Sequence, residues 1–346
     1  MADDLDRLNG NWNYPTSIRF GIGRVRELPV ACRELGMERP LLVTDSGLAH
    51  LAITQGAVDV CEAAGLPTAV FSDVKGNPVG ANVDEGLAAY LEEGCDGVIA
   101  FGGGSAIDVA KCVALMAGQS RPLWDFEDVG DWWTRVDESG MAPLVAVPTT
   151  SGTGSEVGRA SVIVDERERK KKIIFHPNML PGRVIADPQL TVGLPSDITA
   201  WVGMDALSHN LEAYCSPLFH PQAAGIAMEG IRLVLRGLVA AVNDGEDLLA
   251  RARMMAASTM GATAFQKGLG AMHALSHPMG AVLDSQHGLT NAVVMPYVLV
   301  CNREAIEGKL TRLSAMLGLP QEGFDGFLEW ILELRETIGI PHTAES

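Results

Sequence analysis

Asp96-Gly97-Val98-Ile99-Ala100-Phe101-Gly102-Gly103-Gly104-Ser105-Ala106-Ile107-Asp108-Val109-Ala110-Lys111-Cys112-Val113-Ala114-Leu115 is the stretch on which the fold turns. An apolar run ending in glycine predicts a strand over Gly97–Gly102, three glycines predict a tight turn, and Ala106 onward predicts a helix. A turn without side chains at a helix N-terminus offers free backbone N–H groups and a positive dipole end to a phosphate. The same turn also reads as a simple helix cap. It is not G-x-G-x-x-G, so the ordinary dinucleotide fingerprint is absent.

Working outward, further strands are expected at Ser17–Gly21, Pro40–Thr44, Thr68–Ser72, Pro143–Pro148, Ser161–Val164 and Val184–Ala186, with helical stretches such as Val83–Glu93 between them. The alternation implies a parallel α/β sheet. From Pro195 onward the pattern is helical with almost no strand signal. The expected organisation is therefore an α/β domain over residues 1–190 and an all-α domain over 191–346, against the alternative of one continuous α/β domain. A second glycine-rich block, Pro148-Thr-Thr-Ser-Gly-Thr-Gly-Ser-Glu156, follows its strand and could close over a phosphate or nicotinamide, or simply form a turn. Asp45 ends the strand Leu41-Leu-Val-Thr-Asp. There a carboxylate can accept from a ribose diol and repel a 2′-phosphate, favouring NAD over NADP, or merely start the turn Asp-Ser-Gly.

The helical half holds Asp205-Ala-Leu-Ser-His209, His273-Ala-Leu-Ser-His277 and His287-Gly288, with four of the chain's eight histidines. Residues four apart leave one face of a helix and can converge on one ion. His287 lies 14 residues beyond His273, roughly 21 Å along an unbroken helix; Pro278 and Gly280 are expected to supply the break that brings it back. Any one histidine also reads as a structural residue. Asp205, however, sits in the apolar run Trp201-Val-Gly-Met-Asp-Ala-Leu, where an unpartnered carboxylate costs several kcal/mol. A carboxylate with imidazoles suits Fe(II), Zn(II), Co(II) or Ni(II).

Composition narrows the class. With 346 residues, 47% hydrophobic and 20% charged, the chain can build two substantial cores. A net charge of −17 argues against nucleic acid and anionic membrane partners. No apolar run reaches the roughly 18 residues of a membrane helix. Six scattered cysteines without C-x-x-C, and the polar start Met1-Ala-Asp-Asp-Leu-Asp-Arg, fit a reduced, cytoplasmic protein without a signal peptide. A homodimer is expected.

Gly102-Gly-Gly-Ser105, Thr149-Thr-Ser-Gly-Thr-Gly-Ser-Glu156, Asp187-Pro-Gln-Leu, Gly203-Met-Asp-Ala-Leu-Ser-His209, His273-x3-His277-Pro-x-Gly and His287-Gly288 occur in an order that resembles the iron-containing (group III) alcohol dehydrogenases, over nearly the whole chain. The resemblance implies a Rossmann-like nucleotide domain, a helical metal domain of dehydroquinate synthase-like architecture, and a cleft between them. It makes Asp205, His209, His273 and His287 the metal ligands, with Fe(II) the expected ion and Zn(II) or Ni(II) the alternatives. His277 would stand by the nicotinamide and substrate as a proton relay. Asp45, Gly103, Gly104, Ser105, Asp108, Thr149 and Thr150 match NAD-contacting positions. Lys171 matches a cofactor-binding lysine, with Lys172 the alternative in the run Lys170-Lys-Lys, which also reads as a solvated charge cluster. Leu190 and Gly193 align with positions lining the nicotinamide.

The implied reaction is hydride transfer between NAD(H) and a small primary alcohol or aldehyde bound at the metal. Related readings are a hydroxyacid dehydrogenase, a dehydroquinate synthase-like lyase, which needs basic residues near the metal, or a non-enzymatic metal- or nucleotide-binding protein. The chain departs from the family in two places. It stops at Ser346, before the family's last helices, and it carries Gly158-Arg159 where many relatives have Thr. Phe265 falls at an apolar cavity position and Trp132-Trp133 could shape an entrance, though both also read as packing aromatics. Arg159 or Lys267 facing the cleft would favour an anionic substrate.

Overall fold

The computed structural model describes residues 10–12 and 16–343. The polar start at residues 1–7 and the last three residues lie outside the described residues. Two compact units emerge: residues 1–150 with 155–191, and residues 151–154 with 192–346.

The first unit is α/β. In chain order it contains β1 (Gly10–Trp12), β2 (Ile18–Phe20), α1 (Leu28–Glu34), β3 (Pro40–Val43), α2 (Ala52–Ala63), β4 (Ala69–Phe71), α3 (Gly80–Glu92), β5 (Gly97–Gly102), α4 (Gly104–Met116), β6 (Leu144–Pro148), β7 (Ala160–Asp165), β8 (Lys170–Phe175) and β9 (Arg183–Ala186). Seven strands form one sheet in the order β1-β2-β9-β6-β5-β3-β4, parallel throughout except for antiparallel β1 at the edge. Every residue of β3, β5 and β6 is buried, as expected of parallel strands covered by helices on both faces. Leu42, Ile99, Phe101, Val145 and Val147 form the core against Leu28, Ala57 and Cys61 of α1 and α2.

One strand was expected in the wrong sheet. Ser161–Val164 lies in β7, which pairs antiparallel with β8 in a separate two-stranded ribbon, Val162 opposite Ile173 and Val164 opposite Lys171. The physical reason is visible in its burial: Ser161, Ile163 and Asp165 face inward while their neighbours are half-exposed. That alternation marks a strand covered on one side only. The lysine run Lys170-Lys-Lys opens β8, with Lys170 exposed and Lys171 and Lys172 half-buried.

The second unit is helical, with α5 (Ser196–Cys215), α6 (Pro221–Asn243), α7 (Leu248–Ala264), α8 (Ala271–Leu283), α9 (His287–Cys301), α10 (Arg303–Leu317) and α11 (Gly323–Thr337). Helix α5 is buried around most of its circumference and forms the axis of this unit. Asn210 Nδ2 donates to the carbonyls of Ala206 at 2.7 Å and Ala257 at 2.9 Å, tying α5 to α7. Asp247 caps α7 by accepting from Leu249 and Ala250 N–H. No helix among the described residues is long and apolar enough to cross a membrane.

The expected break at Pro278 and Gly280 is not there. Both lie inside α8, which runs on to Leu283. Proline costs a ladder hydrogen bond, yet the chain reverses only at Asp284, whose φ of 52° is left-handed. Gln286 then caps α9, its Oε1 accepting from Leu289 N–H at 2.6 Å.

Candidate metal centre

Three helices of the second unit bring the predicted ligands together. Asp205 and His209 are one turn apart on α5, His273 is on α8, and His287 is the first residue of α9. Asp205 Oδ1 lies 3.6 Å from His209 Nε2, 4.0 Å from His273 Nε2 and 3.7 Å from His287 Nε2. One ligand atom from each residue falls within 4.8 Å of all the others. These separations exceed a hydrogen bond and approach the roughly 3.4 Å edge of a tetrahedron with metal bonds near 2.1 Å. The donor set fits a divalent ion.

The electrostatics suit that use. Burial pushes the His209 imidazole down to about 4, only partly offset by Asp205, so it is neutral near pH 7 with its lone pair available. Burial pushes the Asp205 carboxyl up, but the facing imidazoles of His209, His287 and His273 and the Asn291 amide outweigh it and hold the acid well below its ordinary range. Asp205, His209 and His273 are buried, while the His287 side chain retains 22% exposure and marks the open side. The Phe265 ring meets His209 edge-on at 4.4 Å between centroids and His273 at 5.7 Å, walling the cluster with carbon. His277, one turn beyond His273, lies outside the four convergent atoms, its ring 5.8 Å from His273 and 5.3 Å from His287.

Two site residues escaped the sequence reading. Glu212 Oε2 is 2.6 Å from His273 Nδ1. Asn291 Nδ2 donates to Asp205 Oδ1 at 2.9 Å and lies 3.2 Å from both His273 Nε2 and His287 Nε2. Both carried a signal. Glu212 is three residues past His209, and Asn291 is four past His287, so each shares a helix face with a ligand.

In the first unit, the strand order reverses between β3 and β5: the chain goes outward from β3 to β4, then crosses back to β5 on the other side. Ligands of open α/β sheets bind outside the carboxyl ends at such a switch point. Asp45 and the Gly103 turn sit there. Asp45 Oδ1 accepts from Gly47 N–H at 2.9 Å and Leu48 N–H at 3.0 Å, and Oδ2 faces Gly102. Gly103 is the N-cap of α4, Gly104 its first residue, and Ser105 Oγ donates to the Gly76 carbonyl at 2.5 Å. Thr149 Oγ1 is buried without a partner, and Thr150 lies beside Gly103. An orphaned hydroxyl near a free helix N-terminus fits a polar ligand.

Other predicted positions are engaged within the protein. Asp108 takes the Ser155 hydroxyl on one oxygen and Val162 N–H on the other, at 2.8 Å, with buried Lys111 at 3.2 Å. Lys172 Nζ lies 2.8 Å from Asp165 and 2.9 Å from Glu168, whereas Lys171 leaves the opposite face of β8. Leu190 is buried in the first core. Gly193, counted with the second unit, has a φ of 87° that favours glycine. Lys267 Nζ donates to the Tyr214 carbonyl at 3.1 Å, and the Arg159 guanidinium lies 6.0 Å from the Phe175 ring. Trp132 stacks under Arg135, and Trp133 lies 6.0 Å from His176. The glycines of the second block serve packing: a Cβ at Gly154 would strike Ala262 and the Ser258 carbonyl of α7.

Residues 15–188 match the model of the iron-containing alcohol dehydrogenases and residues 199–345 that of the family's C-terminal region. The chain is 41% identical over 338 residues to 4-hydroxybutyrate dehydrogenase of Cupriavidus necator, covering 95% of this chain and 87% of that protein. The crystal structure of a 1,3-propanediol oxidoreductase superposes with a TM-score of 0.87 at 34% identity, covering 93% of this chain and 85% of that one. Sulfoacetaldehyde reductase from Bifidobacterium kashiwanohense, solved in complex with NAD+, matches with a TM-score of 0.87 at 30% identity over 95% and 85%. Motif order, fold and overall similarity agree: the chain belongs to the iron-containing alcohol dehydrogenase family of NAD-linked oxidoreductases.

Proposed function

We propose that the chain interconverts a primary alcohol and its aldehyde with NAD(H), the second unit holding a divalent ion, Fe(II) by family kinship, through Asp205, His209, His273 and His287. The single observation that carries this reading is the convergence of one carboxylate and three imidazoles in a buried pocket. The first unit is the NAD domain. Its proposed contacts are the α4 turn at Gly103, Gly104 and Ser105, with Asp45, Asp108, Thr149, Thr150, Lys171 and Leu190; Gly193 is a further candidate position. A bound ion would supply Lewis acidity to an alcohol hydroxyl, and NAD+ would serve as the hydride acceptor. His277 accepts the hydroxyl proton at a ring nitrogen and passes it to solvent, a role suited to imidazole near neutral pH. Phe265 keeps water from the rings of His209 and His273.

The substrate class proposed is a small ω-functional primary alcohol, supported by the identity to a 4-hydroxybutyrate dehydrogenase. A lyase acting on a phosphorylated sugar acid would need free basic groups near the cluster. Two buried cations of the second unit are already engaged elsewhere: Lys267 donates to the Tyr214 carbonyl, and Arg251 to Gly245 O, Leu194 O and Thr199 Oγ1. We further propose that the chain forms a homodimer and resides in the cytoplasm, a reducing compartment that suits the unpaired cysteines of the described residues.

An anaerobic panel of simple alcohols, 4-hydroxybutyrate, 1,3-propanediol and their aldehydes, run with Fe(II), Zn(II) and Ni(II) after chelation, tests the reading. Metal-dependent NADH formation is expected. A folded protein that binds metal yet turns over none of these would overturn it, and sedimentation reads the oligomer.

A further inference from the structure

Glu212 is buried on α5, on the face that carries Asp205 and His209. A carboxylate there must be satisfied by donors. Its Oε1 accepts from Met272 N–H at 2.7 Å, the Gly270 N–H also turns to the carboxylate, and Oε2 lies 2.6 Å from His273 Nδ1. The loop before α8 lies so close that a Cβ on Gly270 would come within 2.9 Å of Oε1. Because an ionised carboxylate only accepts hydrogen bonds, the proton between the two side chains belongs to His273 Nδ1. The other ring nitrogen, Nε2, is then left with its lone pair, and it is the atom that faces Asp205 Oδ1.

We propose that Glu212 is a positioning residue of the metal centre: it fixes His273 as the Nδ1–H tautomer and clamps the first turn of α8 onto the helix that carries Asp205 and His209. Two ligands and the group that orients the third therefore ride on one rigid helix. The inference rests on the metal reading above. It adds a requirement which that reading does not contain, an acceptor at position 212.

Glu212→Gln separates the two. The glutamine carbonyl can still accept from Met272 and Gly270, so the clamp survives. Its amide NH2 then faces His273 Nδ1 and donates to it, which moves the ring proton to Nε2 and blocks ligation. Zn(II) affinity of the purified protein, measured by competition with a chromogenic chelator, is expected to fall about 10- to 100-fold, the usual effect of losing an outer-sphere partner. The melting temperature of the metal-free protein is expected to stay near that of the wild type. Glu212→Asp, which keeps an acceptor, should recover part of the affinity. Nitrogen-15 spectra of histidine-labelled, metal-free protein read the tautomer directly: Nδ1–H in the wild type, Nε2–H in Glu212→Gln. An unchanged Zn(II) affinity, an Nε2–H signal for His273 in the wild type, or a loss of affinity matched by collapse of the metal-free fold would each overturn the proposal. If the folded wild type binds no ion, the metal reading fails, and the tautomer spectra still decide the role of Glu212.

Discussion

Gly288 lies against the backbone of Trp201: a Cβ at position 288 would run into the Trp201 carbonyl oxygen and come within 3.1 Å of Asp205 Cβ. The glycine after His287 is therefore a packing requirement, letting the start of α9 press onto α5 so that its histidine reaches Asp205. Gly288→Ala should separate the two helices. Overpacking of this kind costs about 1–3 kcal/mol, and the melting temperature should fall with the metal affinity. A variant with wild-type stability and metal binding would contradict this account.

Asn291 is wholly buried and gives its amide N–H to the Asp205 oxygen that faces the three imidazoles. Asn291→Ala is expected to lower divalent-metal affinity about 10-fold, the lower end for outer-sphere groups, while helix content is unchanged by circular dichroism. Isothermal titration of the metal-free protein checks it.

Asp45 holds a turn through Oδ1 and leaves Oδ2 facing the Gly102 end of β5. Asp45→Ser preserves an acceptor for the turn and removes the charge opposed to a 2′-phosphate. The ratio of kcat/KM with NADP+ to that with NAD+ should rise roughly tenfold, corresponding to about 1.4 kcal/mol. A wild-type enzyme that already prefers NADP+ would refute the assignment.

The two neighbouring lysines of β8 should behave differently. Lys172→Ala breaks the pairs with Asp165 and Glu168 and should lower thermal stability with little change in KM for NAD+. Lys171→Ala should raise KM for NAD+ with little change in stability. The reverse pattern would exchange their roles.

Asp165 carries a pH signature. Its hydrogen bond from Lys172 holds the carboxyl below its ordinary range, against a smaller upward push from burial. A depressed acid is worth its full stabilisation above its unfolded pKa, roughly 4, and loses it as pH falls through the folded value. Lys172, raised chiefly by the same bond, loses its contribution only in strong alkali. Wild-type melting temperature should therefore drop on acidification below about pH 4 more steeply than that of Asp165→Asn. Parallel curves would exclude the pair as a source of acid sensitivity.

Much of this was legible from local pattern. The strand at Gly97–Gly102 has the same limits in the structure as in the sequence reading, because a buried apolar run ended by glycine has one interpretation in an α/β alternation. The i, i+4 spacing put Asp205 and His209 on one face, as observed. What local pattern hides depends on partners distant in sequence. Lys170–Phe175 is a strand because β7 lies beside it, and its charges mask the period of two. Pro278 looks like a break until the continuation of α8 is seen. Glu212 has the right spacing, but only the approach of His273, 61 positions away, shows what its carboxylate does.

The short reversal at Asp284, rather than the proline, joins the two helices that deliver His273 and His287 to α5. An ion held at that meeting point would act as a cross-link between distant parts of the chain. An ion bound by the folded form and not by the unfolded one shifts the folding equilibrium by mass action. The protein's abundance in a cell would then follow the supply of free metal as well as its turnover. A metal-starved culture should hold less of this enzyme, not merely an idle form of it.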